Sequence, residues 1–339
     1  MSAVEPIDPA LVPIRTLASG DRLPAIGLGT FGSDHVAHSI VGDAVSTALR
    51  LGYRHIDCAS VYDNEVAVGA ALRDAMTDRI VTRDELWVSS KVWNDQHGPG
   101  QVAEACEQTL RDLGLDHLDN YLVHWPFPNH HPPGCDIDER NPDAVPYLHE
   151  RFLATWQQME ELVDRGLVRN IGTSNMTVPK LTRLLPDVRI RPSVNQMELH
   201  PHFQQPAFLS WLRDEEIQPI GFCPIGSPQR PERDTTPDDS APTEDAAVVG
   251  ISERLGVHPA VVCVKWAEQR GQIPIPFSTT PRNMAANLQA VTTPPLTDAD
   301  MQALAAADRN CRLIKGQVFL WRDGQPWTDL WDEDGAIPS

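Results

Sequence analysis

Short apolar runs alternate along the chain with stretches in which apolar residues recur at steps of three and four. The first pattern is typical of buried strands, and the second is typical of helices that pack on one face. Six helical stretches cover residues 44–52, 64–76, 101–114, 153–166, 178–185 and 206–216. Eight runs are predicted as strands: residues 25–31, 54–59, 86–92, 118–125, 169–175, 192–199, 219–225 and 273–278.

The alternation of these eight strands with helical stretches indicates the fold class. Strands that are apolar along their whole length are typical of a parallel sheet covered by helices, and eight such strands close into a barrel. We therefore predict an α/β fold, a (β/α)8 TIM barrel, formed by a single domain of residues 1–339. Its core is expected at residues 14–311, and residues 312–339 are expected to form a C-terminal tail over the active site.

Three segments depart from the alternation. Two short runs on either side of Ser19-Gly20-Asp21 predict an N-terminal β-hairpin ahead of the barrel. Residues 126–149 and 227–244 are rich in proline and aspartate and have no apolar period, which predicts long loops after the fourth and seventh strands. We interpret these two loops as lids at the C-terminal face of the barrel, with plain linkers as the alternative.

Charge and composition narrow the choice of partners and compartment. The chain has 28 Lys and Arg against 47 Asp and Glu, and its formal charge of −19 repels both phosphate backbones and anionic lipid surfaces. Neither a nucleic acid nor a membrane is therefore an expected partner. The N-terminus lacks the basic start and apolar core of a secretory signal, and the six cysteines are scattered without a C-x-x-C pair. We expect reduced thiols in a cytoplasmic protein.

The segment AIGLGTFGSD, residues 25–34, places Gly27, Gly29 and Gly32 at the G-x-G-x-x-G spacing. This spacing is found in dinucleotide-binding turns, where the third glycine opens a helix whose N-terminus faces the pyrophosphate. Here the residues after Gly32 have a loop-like pattern, and helical periodicity begins only near Ser39. We therefore interpret the glycines as the exit of the first barrel strand.

Four residues with catalytic chemistry follow predicted strands. Asp57, Lys91 and His124 stand at the carboxyl ends of the second, third and fourth strands, and Tyr62 comes five residues after Asp57. Barrel enzymes assemble their active sites at this end of the strands, so the four side chains are expected to converge. Taken singly, each has a simpler interpretation as a surface pair or a satisfied polar group of the core.

The motifs around these residues resemble the aldo-keto reductase family. They are GYRHIDCASVYDNEVAVG, SSKVW, YLVHWP, IGTSN, NQMELHP and FCPIGSP, and they occur in the family's order over roughly residues 14–311. The resemblance implies an oxidoreductase that transfers hydride between NAD(P)(H) and an aldehyde, a ketone or a sugar or polyol carbonyl. Tyr62 would be the proton donor, and Lys91 would favour the ionised form of its phenol. Asp57 would keep Lys91 charged, and His124 would be a neutral donor that orients the carbonyl.

The same resemblance implies which residues hold the cofactor and the substrate. Ser174, Asn175 and Gln196 would bond the nicotinamide carboxamide, while Phe222 would stack on the ring. The expected cofactor contacts are Thr30, Phe31, Asp57, Ser174, Asn175, Gln196, Phe222, Pro224, Ile225, Gly226, Ser227, Phe277, Ser278, Thr279, Thr280, Arg282, Asn283 and Asn287. The expected substrate contacts are Phe31, Tyr62, Trp93, His124, Trp125 and Trp321. An ordinary core position for Phe222, and tail tryptophans that only attach the tail to the barrel, remain the alternatives.

The chain differs from the family at the positions that would contact the 2′-phosphate, the group that distinguishes NADP from NAD. Members that favour NADP carry a lysine and an arginine there, which bind the 2′-phosphate. Phe277 and Asn283 stand at these positions, and Ala286 replaces a glutamate that would meet the adenine. Arg282 is the obvious substitute cation. We predict that NAD(H) is used at least as well as NADP(H).

Two alternatives complete the sequence-based interpretation. A metal site would draw on His124, His130, His131, His200 and His202, but there is no H-E-x-x-H motif and no metal is expected. The alternative function is a cofactor-binding regulatory or interaction subunit that is built on the same barrel and turns over little substrate. We expect a monomer, with a dimer as the alternative, that acts on a small-molecule carbonyl or polyol.

Overall fold

The computed structural model describes residues 4–32, 35–128, 141 and 143–338, with Arg233 described by its backbone alone. The predicted N-terminal hairpin is confirmed. Strands β1 (Ile14–Thr16) and β2 (Arg22–Pro24) pair antiparallel, with Arg15 opposite Leu23. Gly20 turns between them at a φ of 89°, in the left-handed region that favours glycine.

Eight parallel strands form the centre of the structure, and each pairs with the next in chain order. They are β3 (Leu28–Gly29), β4 (His55–Asp57), β5 (Trp87–Val92), β6 (Leu118–Val123), β7 (Val168–Ser174), β8 (Val194–Glu198), β9 (Gln218–Phe222) and β10 (Ile273–Pro274). The buried faces of the strands form the core of a curled sheet. The predicted (β/α)8 barrel is thereby confirmed.

The first and last strands meet at a seam that closes the barrel. The Gly27 and Gly29 N–H groups donate to the carbonyls of Pro274 and Pro276 at 3.0 and 3.2 Å. A Cβ at Gly29 would lie 2.8 Å from the carbonyl oxygen of Ile275, so this approach requires glycine. Strands β3 and β10, which form this seam, are both shorter than predicted. Pro274 and Pro276 have no N–H to donate, so the ladder of hydrogen bonds between the strands cannot continue.

The helices cover the outside of the barrel and follow the strands in alternation. All six predicted helical stretches are confirmed, and Gly52 and Gly114 end two of them in the left-handed conformation. No single helix in the described part of the chain is long and apolar enough to span a membrane; α7 and α8 together meet the length and composition criteria as a pair bent by 100°. The helices are α1 (His38–Leu51), α2 (Glu65–Thr77), α3 (Gln101–Leu113), α4 (His149–Asp164), α5 (Val178–Leu184), α6 (Pro206–Asp214), α7 (Ala246–Leu255), α8 (Pro259–Gln269), α9 (Pro281–Thr292) and α10 (Asp298–Ala305).

The C-terminal tail packs against the carboxyl ends of the middle strands. Glu198, the last residue of β8, accepts the backbone N–H groups of Leu313 and Ile314 at 2.8 and 2.9 Å. Further along the tail, Asp332 forms a buried ion pair with Lys180 of α5, with Nζ and Oδ2 2.5 Å apart. The tail is therefore fastened to the barrel at both ends by carboxylates.

Replacing Lys180 by Met is expected to weaken the attachment of the tail. The substitution leaves the buried carboxylate of Asp332 without its cation, and breaking one partner of a buried pair costs about 3–5 kcal/mol. Urea unfolding measures this loss. The matched control is Arg50→Met, which breaks an exposed pair with Asp78 and is expected to cost less than about 1 kcal/mol.

Local detachment of the tail would expose the unpaired carboxylate of Asp332 to water without unfolding the whole protein. It would appear as new protease cleavage within residues 312–338 of the Lys180→Met variant. An unfolding free energy equal to that of Arg50→Met, with no new cleavage, would contradict the anchoring role.

Candidate active site

A fully buried ion pair lies at the carboxyl end of β4 and β5. Lys91 donates from Nζ to Asp57 Oδ2 at 2.6 Å and to the Cys58 carbonyl at 2.7 Å. Burial lowers the pKa of Lys91, but the charge of Asp57 and the hydrogen bond to it reverse this effect and raise the pKa to about 12. The other carboxylate oxygen of Asp57 accepts from Gln196 Nε2 at 2.8 Å. The side chain at position 91 is therefore a fixed positive charge.

Tyr62 lies over this charge on a short 3₁₀ helix that follows β4. The Lys91 Nζ is 5.2 Å from the centre of the half-buried phenol ring. Burial raises the pKa of Tyr62, while the charge of Lys91 and its hydrogen bond to the phenol lower it, and the net result is a raised pKa. Lys91 thus favours the ionised phenol, as expected, but desolvation outweighs this effect and the net pKa stays above its ordinary value. The phenol consequently keeps its proton at neutral pH.

His124 follows the end of β6 and faces Tyr62. Its ring centre is 5.9 Å from that of Tyr62 and 5.0 Å from that of Trp93, both in edge-on contacts. Burial and the charge of Lys91 hold the pKa of His124 well below its usual range. The imidazole is therefore neutral at physiological pH and carries one N–H to donate. The structure brings together all four predicted catalytic residues.

The end of β7 supplies amide groups beside these four. Asn175 adopts a φ of 58°, which an asparagine tolerates, and donates from Nδ2 to the His124 carbonyl at 3.0 Å and to Ser174 Oγ at 3.2 Å. Its Oδ1 is buried and accepts no hydrogen bond within the described part of the chain. A primary carboxamide that donates to this oxygen would satisfy it, so these residues fit a nicotinamide amide group.

The turn after β9 presents backbone donors. Cys223, Gly226 and Ser227 all have positive φ, at 50°, 81° and 42°. Among the described residues, the N–H groups of Ile225 and Ser227 have no acceptor. The Gly226 N–H between them donates to the Cys223 carbonyl at 2.8 Å. Backbone donors left free in such a turn can form a concave anion site, which fits a pyrophosphate.

The predicted contacts with the far end of the cofactor cluster around the start of α9. Ser278 Oγ accepts from the Thr280 N–H at 3.1 Å, and Asn287 is buried. Arg282 and Asn283 are exposed in the first turn of this helix, whose N-terminus favours negative charge. Arg282 has no ion pair or hydrogen bond within the described residues.

Two other predicted cofactor contacts lie near the catalytic residues. The ring of Phe31, 40% exposed, is 5.1 Å from that of Tyr62. Thr30 is fully buried, and its hydroxyl donates to the Asp57 carbonyl at 2.9 Å. The side chain of Thr30 thus positions the end of β4.

Aromatic side chains surround the space above His124. Trp93 and Trp125 both contact Phe319 of the tail, with ring centres 5.9 and 4.4 Å apart. Trp321 packs on Phe127 at 6.1 Å, and the indole nitrogens of Trp93 and Trp321 are buried without an acceptor among the described residues. The sequence analysis did not identify Phe319, since a single phenylalanine in an aperiodic tail gives no signal of where the tail lies.

The tail tryptophans differ in what they contact. Trp331 packs on Trp125, with ring centres 5.6 Å apart, and donates from Nε1 to the Lys315 carbonyl at 2.9 Å. Trp331 therefore attaches the tail to the barrel. Trp321 instead contacts Phe127, and its role as a substrate contact stays a prediction.

The second predicted lid, residues 227–244, is joined to the tail by hydrogen bonds and ion pairs. Asp239 accepts from Lys315 Nζ at 3.0 Å and also pairs with Arg230. Burial raises the pKa of Asp239, but the hydrogen bonds from Thr236, Lys315 and Arg230 lower it to about 2. These contacts give the loop a structural role as well. Most of the first predicted lid, residues 126–149, lies outside the described residues.

Two of the histidines considered as metal ligands, His200 and His202, have other partners. His200 Nε2 lies 2.8 Å from Glu198 Oε1, and His202 bonds Ser240 and Asp245. Within the described residues, no group of three or more His, Cys, Asp and Glu side chains could hold a metal ion. His130 and His131 lie outside these residues.

A layer of polar residues behind the site had no sequence signal. Glu65 is buried and accepts hydroxyl hydrogen bonds from Ser90 at 2.5 Å and from Thr109 at 2.9 Å. Ser60 Oγ donates to the Lys91 carbonyl at 3.2 Å, which links the 3₁₀ helix of Tyr62 to β5. These residues position the catalytic side chains.

Comparison with known proteins identifies the family. The aldo/keto reductase family model matches residues 25–309. An aldo/keto reductase of Synechocystis sp. is 41% identical over 94% of this chain and 95% of its own length, and Danio rerio aldo-keto reductase family 1 member A1-A is 39% identical over 91% and 95%. The crystal structure of a Bombyx mori aldo-keto reductase in complex with NADP has a TM-score of 0.79 and 31% identity, and the match covers 89% of this chain and 95% of that one. The chain belongs to the aldo/keto reductase family, whose members are NAD(P)H-dependent oxidoreductases that act on small carbonyl compounds.

Proposed function

We propose that this protein reduces aldehydes, ketones or sugar-like carbonyls, and oxidises the corresponding alcohols, with Tyr62 as the proton donor. The observation that carries the proposal is the convergence of a protonated phenol, a neutral imidazole and a buried lysine at one point. A carbonyl that receives hydride develops negative charge on its oxygen, so it needs a proton donor and positive electrostatic surroundings. These three side chains meet both requirements.

Each residue has a distinct task in this mechanism. A nicotinamide cofactor, when bound, would supply or accept the hydride. Tyr62 donates its proton to the carbonyl oxygen, while the Lys91 charge stabilises the phenolate that remains. His124 donates a hydrogen bond to the same oxygen and orients it. Asp57 holds Lys91 in its charged form and in place.

The chain's own groups can hold the cofactor. Asn175 Oδ1, Ser174 and Gln196 would bind the carboxamide and so select the ring face that meets the substrate. The N–H groups of Ile225 and Ser227, which have no acceptor among the described residues, would bind the pyrophosphate. The adenosine end would lie at the N-terminus of α9. Phe222 would provide a stacking face, since a phenylalanine differs from tyrosine only in the hydroxyl.

The pocket favours hydroxylated substrates. Trp93, Trp125 and Phe319 offer apolar faces that suit the face of a sugar ring, and the unpartnered indole N–H groups of Trp93 and Trp321 can donate to hydroxyl oxygens. We further propose that residues 1–339 act as one barrel domain and as a cytoplasmic monomer. The large negative charge supports this assembly state, because like-charged surfaces repel each other.

A regulatory subunit on the same barrel is the weaker alternative. Such a subunit has no need for a positioned proton donor and a buried lysine together. The absorbance of reduced nicotinamide, followed with a panel of aldehydes, aldoses and polyols, separates the two functions. Cofactor binding without turnover of any member of the panel would favour the regulatory function.

Replacing Tyr62 by Phe is expected to lower turnover by a factor of about 10² or more, the usual contribution of a general acid. The ring and its packing on Phe31 are kept, so the dissociation constant of the cofactor should be little changed. Steady-state kinetics and nucleotide titration measure the two quantities. Turnover near the normal rate, with the chemical step rate-limiting, would show that another group donates the proton.

The raised pKa of Tyr62 also predicts the pH dependence of carbonyl reduction. A proton donor is active below its pKa, so a raised pKa extends the active range toward higher pH. We expect kcat/KM for reduction to stay level through neutral pH and to fall only at or above about pH 10, the ordinary value for a phenol. A basic limb centred at about pH 8 would mean that the bound cofactor reverses the shift.

The choice between NAD(H) and NADP(H) follows from the residues at the start of α9. Hydrogen bonds to charged groups are worth about 1.5–3 kcal/mol each. Phe277 has no side-chain donor for a 2′-phosphate, and Asn283 offers only a neutral amide in place of a cation. The N-terminus of α9 and the exposed Arg282 are the remaining positive groups there. We expect kcat/KM for NADH to be at least equal to that for NADPH, measured at fixed ionic strength.

The variant Arg282→Ala tests the remaining cation. If Arg282 binds the phosphate, the variant loses activity with NADPH and keeps it with NADH. The matched control is Arg50→Met on α1, where the ratio of the two cofactors should not change. A preference for NADPH of about tenfold or more in the unmodified protein, equal to about 1.4 kcal/mol, would overturn the expected use of NAD(H).

A further inference from the structure

A cavity of about 170 Å³ lies apart from the catalytic residues, between the loop after β7, the end of β8, α6 and the C-terminal tail. Met197, Phe208 and Trp331 supply apolar walls, and Arg312 and Asp332 supply two charged groups. None of the four catalytic side chains lines it. Arg312 and Asp332 have hydrogen-bonding capacity that no described residue uses.

Arg312 is the first such group. It is only 7% exposed, and its guanidinium lies between the rings of Phe203 and Trp331, 4.4 and 3.4 Å from their centres. Its Nε and Nη1 are buried and have no acceptor among the described residues. The nearby carboxylate of Glu198 is occupied by backbone N–H groups and His200. Two buried guanidinium nitrogens that lack an acceptor among the described residues call for an anionic or strongly accepting group in the cavity.

Asp332 is the second group, and it needs a donor. Its Oδ2 accepts from Lys180 and Thr177, whereas its Oδ1 is buried and accepts from no described residue. Because Lys180 already balances the charge of this carboxylate, a second cation here would be repelled by Lys180. A neutral hydroxyl meets the requirement, since it donates without adding charge.

We propose that this cavity binds a small monocarboxylate that carries a hydroxyl group. The carboxylate accepts from Arg312, the hydroxyl donates to Asp332 Oδ1, and the methylene groups between them pack on Met197 and Phe208. A cavity of about 150 Å³ holds a benzene molecule in another protein, so the ligand here has roughly six to eight non-hydrogen atoms.

The cavity has a route to solvent and a link to the active site. Val178, Pro179 and Asp332 also line an open groove of about 810 Å³ on the outer surface, where Arg183 and Glu333 have opposite charges. On the inner side, the Trp331 ring contacts Trp125 of the aromatic pocket. A ligand that fills the cavity therefore supports the docked tail and, through Trp331, one wall of that pocket.

Isothermal titration calorimetry with the full chain and no cofactor tests the proposal. The probes are 3-hydroxypropanoate, 4-hydroxybutanoate and 5-hydroxypentanoate, since the series varies the span between the two polar ends. Butanoate lacks the hydroxyl and 1,4-butanediol lacks the carboxylate. We expect at least one hydroxy acid to bind with one site per chain, and each control compound to bind at least about tenfold more weakly.

Two variants assign the binding to this cavity. Val178→Phe adds volume at the wall without removing a hydrogen bond and should weaken binding by about tenfold or more, whereas Val66→Phe on the exposed face of α2 should not change it. Arg312→Met keeps the aliphatic stem, removes the donors and should abolish binding. If Arg312→Met does not fold, the result with Val178→Phe decides.

Two results would overturn the proposal. One is the absence of binding by every hydroxy acid up to about 10 mM in the unmodified protein. The other is binding of equal strength in Val178→Phe, which would place the probe elsewhere, for example at Tyr62 and His124. Failure of either kind leaves the catalytic proposal intact, because no catalytic residue lines the cavity.

Discussion

The active site depends on the buried ion pair between Asp57 and Lys91. A lysine with no exposed surface tends to lose its proton, because its charged form is poorly solvated there. One carboxylate oxygen at 2.6 Å and one backbone carbonyl at 2.7 Å reverse that tendency. The parallel pairing of β4 with β5 sets this geometry: Asp57 lies opposite Ser89, and Lys91 follows two residues later on the same face. A barrel with a different register could not keep this charge.

The other catalytic groups take their properties from this charge and from burial acting together. For Tyr62, burial and the cation oppose each other, and burial prevails, so the phenol keeps its proton. For His124, the two effects act in the same direction, and both favour the neutral ring. Beside the Lys91 cation, Tyr62 and His124 therefore each keep a hydrogen-bond donor. Both lie at the place where a carbonyl oxygen would become negative. Because the surroundings are largely dry, each donor is more effective there than it would be in water.

The sequence was a good guide to the barrel and to the four catalytic residues, because both leave periodic or strand-end signals. Asp57, Lys91 and His124 each stand within one residue of a strand's end, so an alternation of apolar runs is enough to bring them together. The shortened seam strands were missed, since the interruption depends on which proline faces which glycine across the barrel. The sequence correctly predicted that Lys91 lowers the pKa of Tyr62, but it could not predict the net direction of the shift. That direction depends on the balance between desolvation and a charge, and that balance is set by distances which no sequence pattern encodes.

The sequence could not predict which residues hold the tail, because their contacts also depend on the three-dimensional structure. Lys180 and Asp332 are 152 positions apart, and Glu198 and Leu313 are 115 apart, so no local pattern links them. These attachments nevertheless lie on the same face of the barrel as the ion pair. Strands end on this face, and the irregular chain above them leaves backbone and side-chain polar groups that must be satisfied without water. Carboxylates such as Glu198 and Asp332 satisfy several donors at once, and each then requires a cation or further donors of its own. Glu198 and Asp332 thus hold the tail against the face of the barrel on which Asp57 and Lys91 lie.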